Sequence, residues 1–347
     1  MAIKVLVVDD SALIRQLLSE IVNQSEELTL VGAAPDAFVA KKMVIEQQPD
    51  VITLDIEMPK VDGLRFLEVL MQSRPTPVVM ISTLTQQGAD ATLRSLELGA
   101  VDFVPKPKIG VAQGIESYRQ LIVSKIVTAS RARLSRSVAK TTATAPLRFS
   151  GTEKLLALGA STGGTEAIKH ILMQLPTNAP ATVVTQHMPP GFTSAFARRL
   201  DACCQVNVLE AKGGERLLPG TVYLAPGDRH LRVRRSGADY RTELDDGPRV
   251  SGHRPSVDVL FSSLAEAAGN NVVAALLTGM GSDGADGLLR LRQQGAVTFC
   301  QDEASSVVFG MPKVAIEKGA ADHVCSLNDM AERLLQSFAE MKAGSRL

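Results

Sequence analysis

The sequence predicts an α/β protein of two domains, each built on a doubly wound, mainly parallel sheet. Three observations predict it. At 347 residues the chain is too long for one ordinary domain and long enough for two cores. Short β-branched runs alternate with helical patterns, and strands separated by helices imply parallel βαβ crossovers. The alternation also stops once, in a basic stretch, and then begins again.

In the first half, residues 4–8 read as a strand, 11–23 as an amphipathic helix and 51–54 as another strand. Residues 63–72, 78–82, 88–98 and 100–104 continue as helix, strand, helix and strand, and 118–129 close the series as a helix. Then come Arg131, Arg133, Arg136 and Lys140 among Ser, Thr and Ala, with no acid before Glu153. A basic segment poor in large apolar residues reads as an exposed linker. The expected division is therefore a first domain over 1–127, a linker over 128–150 and a second domain over 151–347. In the second domain, strands are expected at 155–158, 182–186, 205–210, 221–224, 272–277 and 296–300. Helices are expected at 165–174, 193–200, 256–268 and 284–293, and residues 229–244 suggest an antiparallel hairpin on the sheet.

Composition excludes several classes. Hydrophobic residues at 45% and charged residues at 21% describe a globular protein. Lys plus Arg and Asp plus Glu are equal at 37 each, so no overall field draws the chain to nucleic acid or an anionic membrane. The apolar run at the N-terminus stops at Asp9 and Asp10, too short for a signal peptide or a membrane span. Cys203, Cys204, Cys300 and Cys325 lack metal-site spacing and suit a reducing, cytoplasmic setting.

Ligands of a parallel α/β sheet gather at the carboxyl ends of its strands. There the first domain places Asp9, Asp10, Asp55, Ser82 and Lys106. Three convergent carboxylates repel one another unless a cation is present, and oxygen-only ligands favour a hard divalent ion such as Mg²⁺. Asp9, Asp10 and Asp55 are the expected metal holders, and Asp55, alone at its strand end, is the best phosphoryl acceptor. Lys106 and Ser82 would hold the product's oxygens. Asp9-Asp10, Asp55 with Met58-Pro59 and Gly63, Ser82 and Lys106-Pro107 closely resemble the receiver domain of two-component response regulators. The resemblance covers roughly the first third of the chain. It implies a flavodoxin-like receiver fold, Mg²⁺-dependent phosphorylation of Asp55 by a histidine kinase, and Ser82 drawn inward on activation. Thr83 beside Ser82 offers a second hydroxyl.

In the second domain, Gly159-Ala-Ser161-Thr162-Gly163-Gly164 carries a strand through glycines into a helix, which fits a nucleophile elbow. The same spacing also suits a phosphate-binding or merely tight turn. A serine nucleophile needs a base and an orienting acid. His187 follows the strand at 182–186 and would lie at the same sheet end, with His253 as its competitor. His170, His230 and His323 read as structural. Asp283, beyond the strand at 272–277, is the expected acid. Gly279-x-Gly281-x-x-Gly284 with Asp302 also satisfies the dinucleotide fingerprint. However, Asp283 would face a pyrophosphate at a helix N-terminus, which electrostatics opposes.

Taken together, the receiver pattern, the basic linker, Gly159-Ala-Ser161-Thr-Gly-Gly, Gln186-His187-Met-Pro, His253-Arg-Pro-Ser-Val-Asp and Thr278-Gly-Met-Gly-Ser-Asp283-Gly resemble the CheB family of chemotaxis protein-glutamate methylesterases. This resemblance spans nearly the whole chain. It implies a Ser161–His187–Asp283 triad, with Met280 near the oxyanion site through its backbone and Thr162 in the same region. It implies no cofactor in the esterase site. The implied substrates are methylated glutamates of chemoreceptors, and glutamines there that are deamidated; the implied phosphodonor is the chemotaxis histidine kinase. It further implies an unphosphorylated receiver packed over the hydrolase crevice. Neither nucleic acid nor membrane insertion is expected.

Overall fold

The computed structural model describes residues 2–83, 85–107, 115–134 and 153–341. Its chain divides into two units after Leu134, and each is considered by itself.

The first unit runs β1 Ile3–Val8, α1 Ala12–Asn23, β2 Leu28–Ala34, α2 Ala37–Gln47, β3 Val51–Asp55, α3 Gly63–Ser73, β4 Val78–Ser82, α4 Gln86–Glu97, β5 Asp102–Pro105 and α5 Ile115–Ser130. Its strands form one sheet in the order β2-β1-β3-β4-β5, with every pair parallel. That is the flavodoxin-like order, with its switch point between β1 and β3. The central strands β3 and β4 are buried throughout, as helices on both faces require. Side chains cap the helices: Ser11 accepts from Ile14 N, Asp62 from Arg65 N and Thr85 from Gly88 N.

The second unit continues with β6 Leu155–Ala160, α6 Gly164–Leu172, β7 Ala181–Gln186, α7 Phe192–Cys203, β8 Asn207–Glu210, β9 Thr221–Leu224, β10 His230–Ser236 and β11 Asp239–Asp245. It closes with α8 Val257–Ala267, β12 Val272–Leu276, α9 Ala285–Gln293, β13 Val297–Gln301, α10 Met311–Glu317, β14 His323–Cys325 and α11 Leu327–Glu340. Seven strands pair in the order β14-β13-β12-β6-β7-β9-β8, all parallel. The first strand of the unit, β6, thus lies in the middle, with later strands added on both sides. Its carboxyl end is where a crevice opens. Leu155, Ala157, Phe261, Leu264, Leu276 and Leu288 belong to one buried cluster that joins β6 and β12 to α8 and α9.

Two expectations need correction, and five elements are additions. The hairpin does not join the main sheet: β10 and β11 make a two-stranded sheet of their own, against α8. Its inward Leu231, Val233 and Thr242 are buried, while Arg234 and Glu243 face outward. β2 and α2, and later α10, β14 and α11, are elements beyond those expected. Finally, α5 continues to Ser130, inside the stretch expected as linker; residues 135–150 of that stretch lie outside the described residues.

Candidate active site

Ser161 follows the last residue of β6, and the turn that exposes it is fixed by several bonds. Its N–H donates to the Thr278 carbonyl (3.0 Å), and its carbonyl accepts from Gly164 N (2.7 Å) and Gln186 Nε2 (2.9 Å). Gly163 takes φ 77° at the start of α6, a conformation that a side chain would strain, and an added Cβ would lie 2.6 Å from Val307 Cβ. The segment after β12 folds over this turn. Thr278 Oγ1 donates to the Thr162 carbonyl (2.9 Å), and a Cβ on Gly279 would come within 2.7 Å of Ser161 Cβ. So Gly279 is a close-approach residue against the nucleophile turn, which accounts for part of the apparent dinucleotide fingerprint. Met280 is exposed, as are Gly281 and Ser282 after it, and Thr162 is buried.

His187 follows β7, the strand beside β6, and its N–H bonds the Ala160 carbonyl (3.2 Å). Its Nδ1 lies 3.1 Å from Ser161 Oγ, and its Nε2 lies 2.7 Å from Asp283 Oδ2. An ionised carboxylate only accepts, so Nε2 carries the proton and Nδ1 is the acceptor for the serine hydroxyl. The two nitrogens are exchanged relative to the familiar serine-protease arrangement, in which Nε2 faces the serine.

Asp283 is 1% exposed, yet all its acceptor capacity is used. Oδ1 accepts from Ser256 Oγ (2.6 Å) and Asp258 N (3.1 Å); Oδ2 accepts from Val257 N (2.7 Å) and His187 Nε2. Ser256, Val257 and Asp258 sit at the N-terminus of α8, where a negative charge is favoured. Burial alone would raise the Asp283 carboxyl, but the bonds from His187, Ser256 and Val257 hold it at about 2. The sequence places a helix over 256–268, and Ser256 before it has the signature of an N-cap, but nothing in the sequence shows that this helix end holds Asp283.

Asp258 returns the contact, accepting from Gly287 N (2.7 Å) in the first turn of α9. Burial, with the Asp283 charge adding, pushes its carboxyl up to about 6 despite that bond. A carboxyl raised in this way contributes stability below its unfolded value of about 3.9, and the contribution is lost as pH rises through about 6. Asp258→Asn keeps an oxygen for Gly287 without the charge. Relative to the wild type it should therefore gain on the order of 1 kcal/mol between pH 4 and pH 7, after allowance for partial exposure. Urea unfolding of the second unit at both pH values measures this, and a difference that does not change with pH refutes it.

The rival base, His253, stacks on His187 with ring centroids 3.7 Å apart and planes 11° apart, while the bond to Ser161 Oγ belongs to His187. His230 is buried and does have partners: Nδ1 accepts from Ser256 N (3.1 Å), and Nε2 donates to the Pro248 carbonyl (3.0 Å). His323 tilts against Phe299, and His170 lies on α6 with Nε2 buried.

At the carboxyl edge of the first sheet, ligand oxygens of Asp9, Asp10 and Asp55 lie within 4.8 Å of one another. Lys106 Nζ is 2.7 Å from Asp55 Oδ2 and 3.4 Å from Asp9 Oδ2. Asp9 Oδ1 accepts from Ser11 N (2.9 Å), but its Oδ2 is buried without a hydrogen bond. A buried carboxylate oxygen held only by a 3.4 Å ion pair, in an all-oxygen cluster, fits a hard divalent cation. Burial pushes the Asp55 carboxyl up to about 6; the Asp9 charge adds to this, and Lys106 opposes it. Ser82 is buried and donates to the Gly88 carbonyl (3.2 Å) while accepting from Thr92 Oγ1 (2.5 Å). Thr83 instead reaches Glu57 and Thr85.

A family model of the CheB methylesterase matches residues 156–334, and one of the response regulator receiver domain matches residues 5–113. A protein-glutamate methylesterase/protein-glutamine glutaminase of Methylobacillus flagellatus is 58% identical over 346 residues, 98% of each chain. The chain belongs to the CheB methylesterase family. A second such relative, numbered 2 in Pseudomonas aeruginosa, is 56% identical across the full length of both chains. The crystal structure of the Thermotoga maritima CheB methylesterase catalytic domain is 39% identical and has a TM-score of 0.53. It covers 54% of this chain and all of its own. Membership makes the protein a methylesterase with a receiver domain, and the crevice around Ser161 lies within the part matched to the catalytic family. Among the described residues no helix is long and apolar enough to cross a membrane.

Proposed function

We propose that the chain hydrolyses the methyl esters of glutamate side chains on chemoreceptors, deamidates glutamines there, and is switched on by phosphorylation of Asp55. The observation that carries the hydrolytic part is the Ser161–His187–Asp283 relay at 3.1 and 2.7 Å. In this reading His187 Nδ1 takes the Ser161 proton as Oγ attacks the ester carbonyl, while Nε2–H stays on Asp283. The imidazolium returns the proton to the departing methanol, or to ammonia from a glutamine. Water, activated by the same nitrogen, then releases glutamate from the acyl-enzyme. Because the Ser161 N–H is bonded to Thr278, oxyanion donors fall to the following residue, Thr162, and to the backbone at Met280.

In the receiver, Asp9, Asp10 and Asp55 would hold Mg²⁺. When bound it supplies charge neutralisation for a phosphoryl group arriving on Asp55 from a histidine kinase. Lys106 is placed to pair with the new phosphate, and Ser82 would exchange its bond to Gly88 for one to a phosphate oxygen. Receptor helices inside the cell place the enzyme in the cytoplasm. Methanol release from a methylated receptor tests the proposal. Ser161→Ala should reduce it by at least about 10⁴-fold, and release unchanged in that variant would remove the triad.

A further inference from the structure

The general base is held at its edge by hydrogen bonds and on its face by a second imidazole. We infer that His253 is a positioning residue for His187, set by a purpose-built turn and resting on the hydrolytic reading above. Val250 and His253 exchange both backbone hydrogen bonds, at 3.0 and 2.9 Å, across a two-residue turn. Both central residues, Ser251 (φ 52°) and Gly252 (φ 80°), are in the left-handed region, as a type I′ turn demands. A serine in that conformation carries strain that the surroundings must offset.

The chain that leaves the turn is anchored. Arg254 binds Asp228 Oδ1 through Nε (3.2 Å) and Nη2 (3.0 Å), and the Asp246 and Gly247 carbonyls through Nη1, each at 2.9 Å. Next in the chain, Ser256 N donates to His230, and Ser256 Oγ, Val257 N and Asp258 N hold Asp283. One segment, Val250 to Asp258, therefore orients two of the three members of the relay. It grips the acid through a helix end and the base through a stacked ring.

The stack has a specific mechanical effect. Hydrogen bonds at Nδ1 and Nε2 fix the ring within its plane but resist tilting out of it only weakly, since such bonds tolerate tens of degrees of misalignment. A flat ring at 3.7 Å blocks that tilt on one side and keeps water off that face of the base. His253 needs only its planar ring for this, and no proton transfer through it is required.

The test uses the full chain with acetyl phosphate and Mg²⁺, reading methanol release from methylated receptor for wild type, His253→Ala, His253→Phe and Ser161→Ala. His253→Ala should lower kcat by about three- to tenfold, the range of an aromatic pair contribution, with KM unchanged within about twofold. His253→Phe should restore most of kcat. The low-field NMR signal of the His187 Nε2 proton should broaden in the alanine variant and stay sharp in the phenylalanine one. Wild-type kcat in His253→Ala, or a phenylalanine variant as slow as alanine, would overturn the inference. Wild-type release that Ser161→Ala does not abolish would instead overturn the hydrolytic reading itself.

Discussion

Asp283→Asn is expected to slow methyl ester hydrolysis by about 10⁴-fold, as loss of the orienting charge does in serine hydrolases generally. Here the geometry gives two separate reasons. All four groups around the carboxylate are donors: Ser256 Oγ, Val257 N, Asp258 N and His187 Nε2. An amide offers one accepting oxygen and one donating nitrogen, so two donors lose their acceptor whichever way it is turned. If the NH₂ faces His187, the imidazole must accept at Nε2 and protonate at Nδ1, leaving no base for Ser161. If it faces Ser256, the hydroxyl can rotate to accept, but Asp258 N is stranded and the imidazolium has lost its counter-charge. A buried unsatisfied donor costs about 1–3 kcal/mol. The melting temperature of the second unit should accordingly fall by about 2–4 °C for each kcal/mol. Methanol release and the ¹⁵N shifts of His187 measure the two effects, and a rate within tenfold of wild type would refute the assignment.

What sequence could reveal of this protein follows burial. β3, β4 and β6 are buried on both faces, so they appear as apolar runs, interrupted before their strand ends only by Thr53 in β3. β2 is an edge strand that ends in Gly32-Ala33-Ala34 and has only its two end residues buried, and α2 leaves Phe38 and Ile45 exposed, so neither shows a clear period. The hairpin was visible from its alternation, but alternation does not name the surface that it covers. At the candidate site, the strand-end rule was enough to expect Ser161, His187 and Asp283 at one edge of one sheet. It could not give which imidazole nitrogen faces the serine, because that depends on the χ angles of one ring. Nor could it show His253 lying on His187, or the α8 terminus gripping Asp283. Both depend on a turn at Ser251-Gly252 whose sequence resembles any polar loop. In the receiver the pocket was more legible, since Asp9, Asp10, Asp55 and Lys106 all stand at or just beyond strand ends.

Asp55→Asn is expected to bring phosphoryl incorporation from acetyl phosphate to background and to abolish the stimulation of ester hydrolysis by that donor. The substitution changes little in shape, but it removes the attacking oxygen and one of the three acids whose ligand atoms cluster within 4.8 Å. Chelation of Mg²⁺ in the wild type should have the same result, because three clustered carboxylates then face an incoming phosphoryl group with Lys106 as their one close ammonium. A phosphate on Asp55 adds about −1.5 to −2 charges beside Lys106, which already pairs with that carboxylate. Lys106 cannot neutralise this alone, so a further donor is drawn in. The Ser82 hydroxyl, one strand away and now bonded to Gly88 and Thr92, is the candidate in the β4–α4 segment. Ser82→Ala should therefore keep the radiolabel that Asp55→Asn loses, yet lose most of the stimulation. If Asp55→Asn is stimulated as strongly as wild type, the switch does not run through this carboxylate. If Ser82→Ala is stimulated normally, phosphorylation acts without drawing on β4, and Thr83 becomes the hydroxyl to test.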